Sequence, residues 1–311
     1  MHERPELLSD AEVLALVTDE WVPAADAVDY LPVGFGAFHW RALAAGEPVA
    51  FVTYDEVSPP RRTRGDVEDA YAAGAELARA GLEFLHAPLP RAGGGLTVPV
   101  AEGLLSATPW LAGDPPRRPG LEARLLPRLH AAAPPPTLPP WRPLVDADLP
   151  DVLTEQVAQR WDGGPLGEQA RRALLARLGA VAAWTADYLG LAASSDPAGW
   201  VPTHGEPGAH NQLVDAAGRV HLVDLESLRL APRERDLAGL LPLDVAWRSD
   251  YGGPEPAPSL LRMFDLEWRL DEVSQYAVRF AAAHTGDADD RTALGGLLHE
   301  LDRPDRRHYV G

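Results

Sequence analysis

The hydrophobic period of this sequence changes along its length, and that limits what the chain can fold into. From residue 30 to 56, "YLPVGFGAFHWRALAAGEPVAFVTYDE", aromatic and β-branched residues alternate around a glycine turn and an "AAGEP" turn, predicting three consecutive strands. "RGDVEDAYAAGAELARAGLEFLHAPLP" then reads as an alanine-rich helix ended by Gly81, with a short strand before Pro88. "GGGLTVPV" and "GLLSATPWLAGDPP" give a turn and further strand, so a β-β-β-α-β-β unit closes near residue 107. Residues 11–20, 148–161, 166–190 and 259–284 instead carry i, i+3, i+4 spacing and predict helices. The run "AAAPPPTLPPWRP" (131–143) interrupts the chain as an extended surface connection, because proline stiffens it. The expectation is an α+β chain with a small sheet-bearing N-terminal lobe, 1–106, and a larger, mainly helical C-terminal lobe.

Composition removes several function classes. The net charge of −18 disfavours nucleic acid and anionic membrane surfaces as partners and leaves a cationic small molecule as the better fit. The 0 cysteines exclude disulfides, thiolate catalysis and cysteine metal sites. No apolar run approaches the ~20 residues of a membrane span, and the charged start "MHERPELLSD" has no apolar signal region behind it; the chain reads as soluble and cytoplasmic. All 28 residues in the Lys+Arg count are arginine, so no mechanism here can use a lysine amine.

The chemistry concentrates in "HGEPGAHNQLVDAAGRVHLVDLESLRLAPRERDLA", residues 204–238. Glu206 precedes Asn211 by one loop, and "NQLVDAAGRVHLVD" reads as a hairpin that delivers Asp224 to the end of its second strand. "RDLA" opens the next helix. A carboxylate that orients a hydroxyl, with an amide oxygen and a second carboxylate as hard ligands, suits Mg²⁺-dependent phosphoryl transfer. His204 and His210 beside these carboxylates do not make a zinc site; His204 reads as a hydrogen-bonding buttress of the loop.

These residues resemble the aminoglycoside phosphotransferases of the protein-kinase-like superfamily, and the wording resembles an actinobacterial branch of them. His204, Gly205, Asn211, Asp224, Asp236, Leu237 and Ala238 match the family pattern in order and spacing. The resemblance implies a two-lobed protein-kinase-like fold with a hinge at 107–113 and a C-lobe from 114 to 311. It also implies ATP or GTP as donor and Mg²⁺ on Asn211 and Asp224. Catalytic roles fall to Glu206, His204 and Asn211, and nucleotide contacts to Gly34, Phe35, Gly36, Thr53 and Trp110. The Gly34–Phe38 turn would cover the phosphates, "ATPWLAGDPP" would be the hinge, and "LLPRLHAAAPP" the end of the helix after it.

Two positions depart from the pattern. Glu206 stands where the family has aspartate; it keeps the charge and adds a methylene, serving as base or orienter, or binding a neighbouring arginine or a substrate ammonium. Thr53 stands where a third-strand lysine belongs. The substitutes on offer are Arg61, Arg62, Arg64 or Arg41 as a bidentate phosphate ligand, or metal and glycine-loop amides alone. The helix glutamate that such a lysine would pair with is Glu68 or Glu76.

For the acceptor, "FDLEWRLDEVSQYAVRF" buries Leu266, Leu270, Val273, Ala277 and Phe280 and sets Glu267 and Asp271 on another face. Those acids either line an amine pocket, as the resemblance implies, or form a solvated face relieved by Arg269. The leading expectation is a kinase for a hydroxyl on a small cationic molecule, an aminoglycoside-like antibiotic or a metabolite, acting as monomer or homodimer. The alternative is a non-catalytic ligand-binding protein on a degenerate kinase fold.

Overall fold

Ser9 and Glu12 exchange hydrogen bonds in a capping box, a device worth about 1 kcal/mol, and so start α1 (Asp10–Glu20). The computed structural model of the chain describes residues 4–5, 7–34, 37–57, 63–116, 124–240 and 250–304. Val13 and Val17, one turn apart on α1, are buried against one face of a five-stranded antiparallel sheet. That sheet comprises β1 (Ala27–Leu31), β2 (Ala37–Ala44), β3 (Glu47–Glu56), β4 (Thr97–Val100) and β5 (Gly103–Pro109), in the order β1-β2-β3-β5-β4. Period-two alternation sends Trp40, Val52, Tyr54, Leu105 and Ala107 under α1, each worth up to about 1.5–3 kcal/mol for the larger side chains. The opposite face carries His39, Thr53 and Ser106, which stand in register across β2, β3 and β5.

Between β3 and β4 lies α2 (Arg64–Arg79), opened by a second capping box between Thr63 and Asp66, with Gly81 at φ +108° just beyond it. The short strand expected before Pro88 shrinks to a single bridge, Leu85 to Leu222. Of the hinge residues expected at 107–113, the first three complete β5 and Gly113 opens β6 (Gly113–Asp114), leaving Trp110, Leu111 and Ala112 as the connecting segment. α3 (Leu126–His130) follows, and the proline-rich run after it is irregular, with a turn at Pro136–Thr137. It is pinned rather than only superficial, because Leu138 and Trp141 are buried and Trp141 N–H donates to the Leu230 carbonyl at 2.8 Å.

The chain packs as two units. The first holds residues 1–141 and 199–254, so the segment with the expected catalytic loop packs with the N-terminal sheet. It adds β7 (Val201–Thr203), a hairpin of β8 (Gln212–Asp215) and β9 (Val220–Leu222), β10 (Arg229–Ala231) paired with β7, and α7 (Glu234–Ala238). The second unit, 142–198 and 255–311, is helical. In it α4 (Leu149–Ala158), α5 (Gly167–Leu175), α6 (Leu178–Ala192) and α9 (Ala288–Asp302) pack on the long α8 (Pro258–Ala281). The single helix expected over 166–190 is two helices broken by a turn at Ala176–Arg177, and α9 is an element that the apolar spacing did not mark. Leu266, Leu270, Val273, Ala277 and Phe280 of α8 are all buried, as their spacing predicts. Among the described residues, no helix is long and apolar enough to cross a membrane.

Candidate active site

β7 ends at Thr203, and the chain then turns through His204, Gly205 and Glu206. Gly205 has φ +99°, and a Cβ there would run into the guanidinium of Arg235, so only glycine fits. The turn is held from beneath by Asp236, which is wholly buried at the first turns of α7. Its Oδ2 accepts from His204 N–H at 3.0 Å, its Oδ1 from Gly205 N–H at 2.6 Å, and the His130 ring contacts Oδ2 at 3.0 Å. Burial alone would raise the Asp236 carboxyl; the His130 hydrogen bond, the nearby imidazoles and the Gly205 amide outweigh it and hold the group below its ordinary value. The other nitrogen of His130 lies 3.0 Å from the Tyr251 hydroxyl, whose pKa burial pushes up to about 12.

His204 is fully buried and ties the loop to the hairpin. Its Nδ1 accepts from Glu206 N–H at 3.3 Å, and its Nε2 lies 2.9 Å from the Val223 carbonyl, which fixes a neutral ring with the proton on Nε2. Burial lowers its pKa, consistent with that tautomer. With both nitrogens engaged, the ring acts as a strut between the residue carrying the carboxylate and the residue before Asp224.

Asn211 is buried, and its Nδ2 donates to the Glu206 carbonyl at 3.0 Å, so any ligand it holds would be held through Oδ1. Its own carbonyl accepts from Val223 N–H at 3.0 Å, so the backbone ladder fixes the spacing between Asn211 and Asp224. Asp224 is exposed and left-handed, at φ 66° and ψ 63°, a conformation that aspartate tolerates better than most residues. α2 clamps the turn behind it: a Cβ on Gly74 would press on Leu225 and Leu228 at 2.9 and 3.0 Å. One amide oxygen and one carboxylate are hard donors that leave room for waters and phosphate oxygens, and this set fits Mg²⁺.

On the sheet, Gly34 has φ +72° at the start of the β1–β2 turn; Phe35 and Gly36 lie outside the described residues. Thr53 faces His39, its Oγ1 3.3 Å from Nδ1. Trp110 spends its backbone N–H on the Val49 carbonyl, and its ring lies 6.5 Å from that of Phe51. Of the arginines offered as substitutes for lysine, Arg41 pairs with Asp29 at 2.7 Å and Arg64 donates to the Ala101 carbonyl. Arg61 and Arg62 lie outside the described residues. Glu68 clamps the β4 entry through Leu96 N–H and the Thr97 hydroxyl, and Glu76 accepts from Thr137. The link between β3 and α2 is instead the Tyr71 hydroxyl donating to buried Asp55 at 3.1 Å. Burial first, then the charges of Asp55, Glu226 and Asp224, push the Tyr71 hydroxyl well up.

Glu267 and Asp271, in the helical unit, are buried rather than on a solvated face. The Tyr188 hydroxyl donates to Glu267 at 2.5 Å, and Gln275 donates to Asp271 at 3.0 Å. Burial and the Glu267 charge drive the Tyr188 pKa far up. Arg269 lies over the Trp184 ring at 4.4 Å and donates to the carbonyls of Arg303 and Pro304.

His130, Tyr71 and Asp55 were not found from the sequence. His130 ends the short helix after the hinge, and its spacing to the loop gives no local signal. Asp55, two residues beyond Thr53 on the same strand face, is a position that alternation could have flagged.

Residues 46–283 match the model of the phosphotransferase enzyme family. Protein StrN of Streptomyces griseus is 30% identical over 267 residues, covering 80% of this chain and 81% of that protein. The solved spectinomycin phosphotransferase, in complex with ADP and spectinomycin, superposes with a TM-score of 0.73 at 14% identity, over 96% of each chain. Amicoumacin kinase in complex with AMP-PNP and Ca²⁺ gives a TM-score of 0.60 at 12% identity, over 94% of this chain and 93% of the other. These likenesses make the fold protein-kinase-like, with an antiparallel-sheet N-terminal lobe and a mainly helical C-terminal part.

Proposed function

The chain belongs to the phosphotransferase enzyme family, and on that premise we propose that it transfers the γ-phosphoryl group of ATP or GTP to a hydroxyl of a small cationic molecule. The observation that supports this reading is the loop and hairpin: Val223 N–H donates to the Asn211 carbonyl and Asn211 Nδ2 to the Glu206 carbonyl, so Glu206, Asn211 and the residue before Asp224 belong to one hydrogen-bonded unit. Asn211 Oδ1 and the Asp224 carboxylate would hold Mg²⁺, which when bound neutralises charge on the phosphate oxygens. Glu206 orients the acceptor hydroxyl and takes its proton as the phosphoryl group leaves the nucleotide. His204 positions Glu206 through its backbone and takes no proton, because both ring nitrogens are engaged. Gly34, Phe35 and Gly36 are assigned to the phosphates, and Thr53 and Trp110 to the nucleotide.

Glu267 and Asp271 are assigned to the acceptor's positive charge. Two carboxylates buried close together in sequence repel one another, and an ammonium offsets that cost. The relatives named for spectinomycin and amicoumacin support a small-molecule acceptor.

Calorimetric titration of ATP and GTP, with and without Mg²⁺, tests the reading on the wild type and on Asp224→Ala. Metal-dependent binding that disappears in the variant is the expected result. No binding of either nucleotide at millimolar concentration would overturn it and leave a ligand-binding protein on this fold.

A further inference from the structure

The phosphate side of this site has no lysine, since the whole Lys+Arg count is arginine. Arg41 and Arg64 are held by Asp29 and by the Ala101 carbonyl. We propose that His39 is the side chain that meets the nucleotide's phosphates, with Nε2 as donor and Thr53 setting the ring's orientation. The inference rests on the phosphotransferase reading above and names a binding residue that it lacks.

Four observations place the ring. His39 on β2 stands directly opposite Thr53 on β3, and its Nδ1 lies 3.3 Å from Thr53 Oγ1. The ring packs on Phe51, with centroids 4.9 Å apart and planes 30° from parallel, which fixes its tilt. Its far edge lies beside Gly34, because a Cβ built there would stand 3.1 Å from Nε2. Finally, the Asp224 carboxylate is among the charges that act on the ring.

The protonation state completes the argument. Burial lowers the His39 pKa to about 4, with the Asp224 charge opposing, so the ring is neutral at physiological pH and carries one N–H. With the Thr53 hydroxyl donating to Nδ1, that N–H is on Nε2, the nitrogen beside Gly34. A neutral donor to an anionic oxygen gives a directed hydrogen bond and adds no charge. The remaining charge on the phosphates is left to the metal held by Asn211 and Asp224.

Binding of Mg²⁺ with ATP or GTP, and of adenosine or guanosine alone, tests this on the wild type, His39→Asn and His39→Gln. The asparagine amide keeps the reach to Thr53 but falls short of the Nε2 position; the glutamine amide reaches it. The expected result is nucleotide binding about 10- to 100-fold weaker in His39→Asn, unchanged nucleoside binding, and recovery of most of the loss in His39→Gln. Circular dichroism and thermal unfolding establish that both variants fold; if the asparagine variant does not, His39→Phe, which keeps a ring against Phe51 and removes the donor, carries the test with the same expected loss. Equal nucleotide affinity in wild type and His39→Asn overturns the proposal and leaves the phosphotransferase reading standing. Equal weakening of nucleoside and nucleotide makes the residue structural and also overturns it. A wild type that binds no nucleotide removes both.

Discussion

Two aspartates near the loop behave as opposites. Asp236, beneath it, is wholly buried and spends both oxygens on two backbone amides and an imidazole. Asp224, at the hairpin end, is exposed and sits in a left-handed backbone. The base of the site is a closed hydrogen-bond network, and its rim is left open for ligands. On the proposed function the same side chain serves as scaffold in one place and as metal ligand in the other, and its surroundings decide which.

Breaking the base has the largest expected effect. Asp236→Ala leaves the His204 and Gly205 amides unsatisfied in a buried site, and urea unfolding should show a loss of roughly 3–5 kcal/mol. Breaking the rim should separate activity from stability. Asp224→Asn keeps a residue that tolerates the left-handed conformation, so its unfolding midpoint should stay close to that of the wild type. Its phosphotransfer rate should nonetheless fall by at least about 10²-fold, measured at saturating nucleotide.

Acid probes both regions at once. The His39 pKa is about 4 in the folded chain against an ordinary 6.5, so between those values the unfolded chain binds protons that the folded chain does not. Stability should be fully present above pH 6.5 and fall as pH drops toward 4; His39→Gln should flatten that slope by about 1–2 kcal/mol. Asp236, held below its ordinary value, adds a second loss at still lower pH that the His39 variant does not remove. The smallest effect is expected from Glu206→Asp, which shortens a positioning carboxylate by one methylene; kcat should change by no more than about tenfold.

Much of this was legible in the sequence, and the limits have physical causes. Alternation from residue 30 to 56 gave three strands, and the constellation from His204 to Ala238 gave the loop, the hairpin and α7 in order. Those signals are local, and local spacing survives folding. The position of His39 was not legible, because β2 and β3 change register between Ala42 and Leu43. Near the turn, Ala44 pairs with Glu47 and Leu43 with Pro48; continued without the shift, that count would set His39 opposite Val52. The irregularity turns the imidazole toward Thr53 instead, and no residue type announces it. The hydrogen bonds of Glu68 and Glu76 were out of reach for a related reason: they go to Leu96, Thr97 and Thr137, all distant along the chain. The burial of Glu267 and Asp271 was equally out of reach, since spacing identifies a face of α8 but not what covers it.

The left-handed backbone at Asp224 also governs which mutations the site can absorb. Glycine, asparagine and aspartate enter that conformation at low cost, and of these only aspartate is charged. Lengthening the acid there by one carbon would keep its chemistry and lose its backbone. Glu206 has no positive φ, so the conformation of its chain imposes no such filter. The backbone therefore admits an exchange between aspartate and glutamate at 206 and resists it at 224.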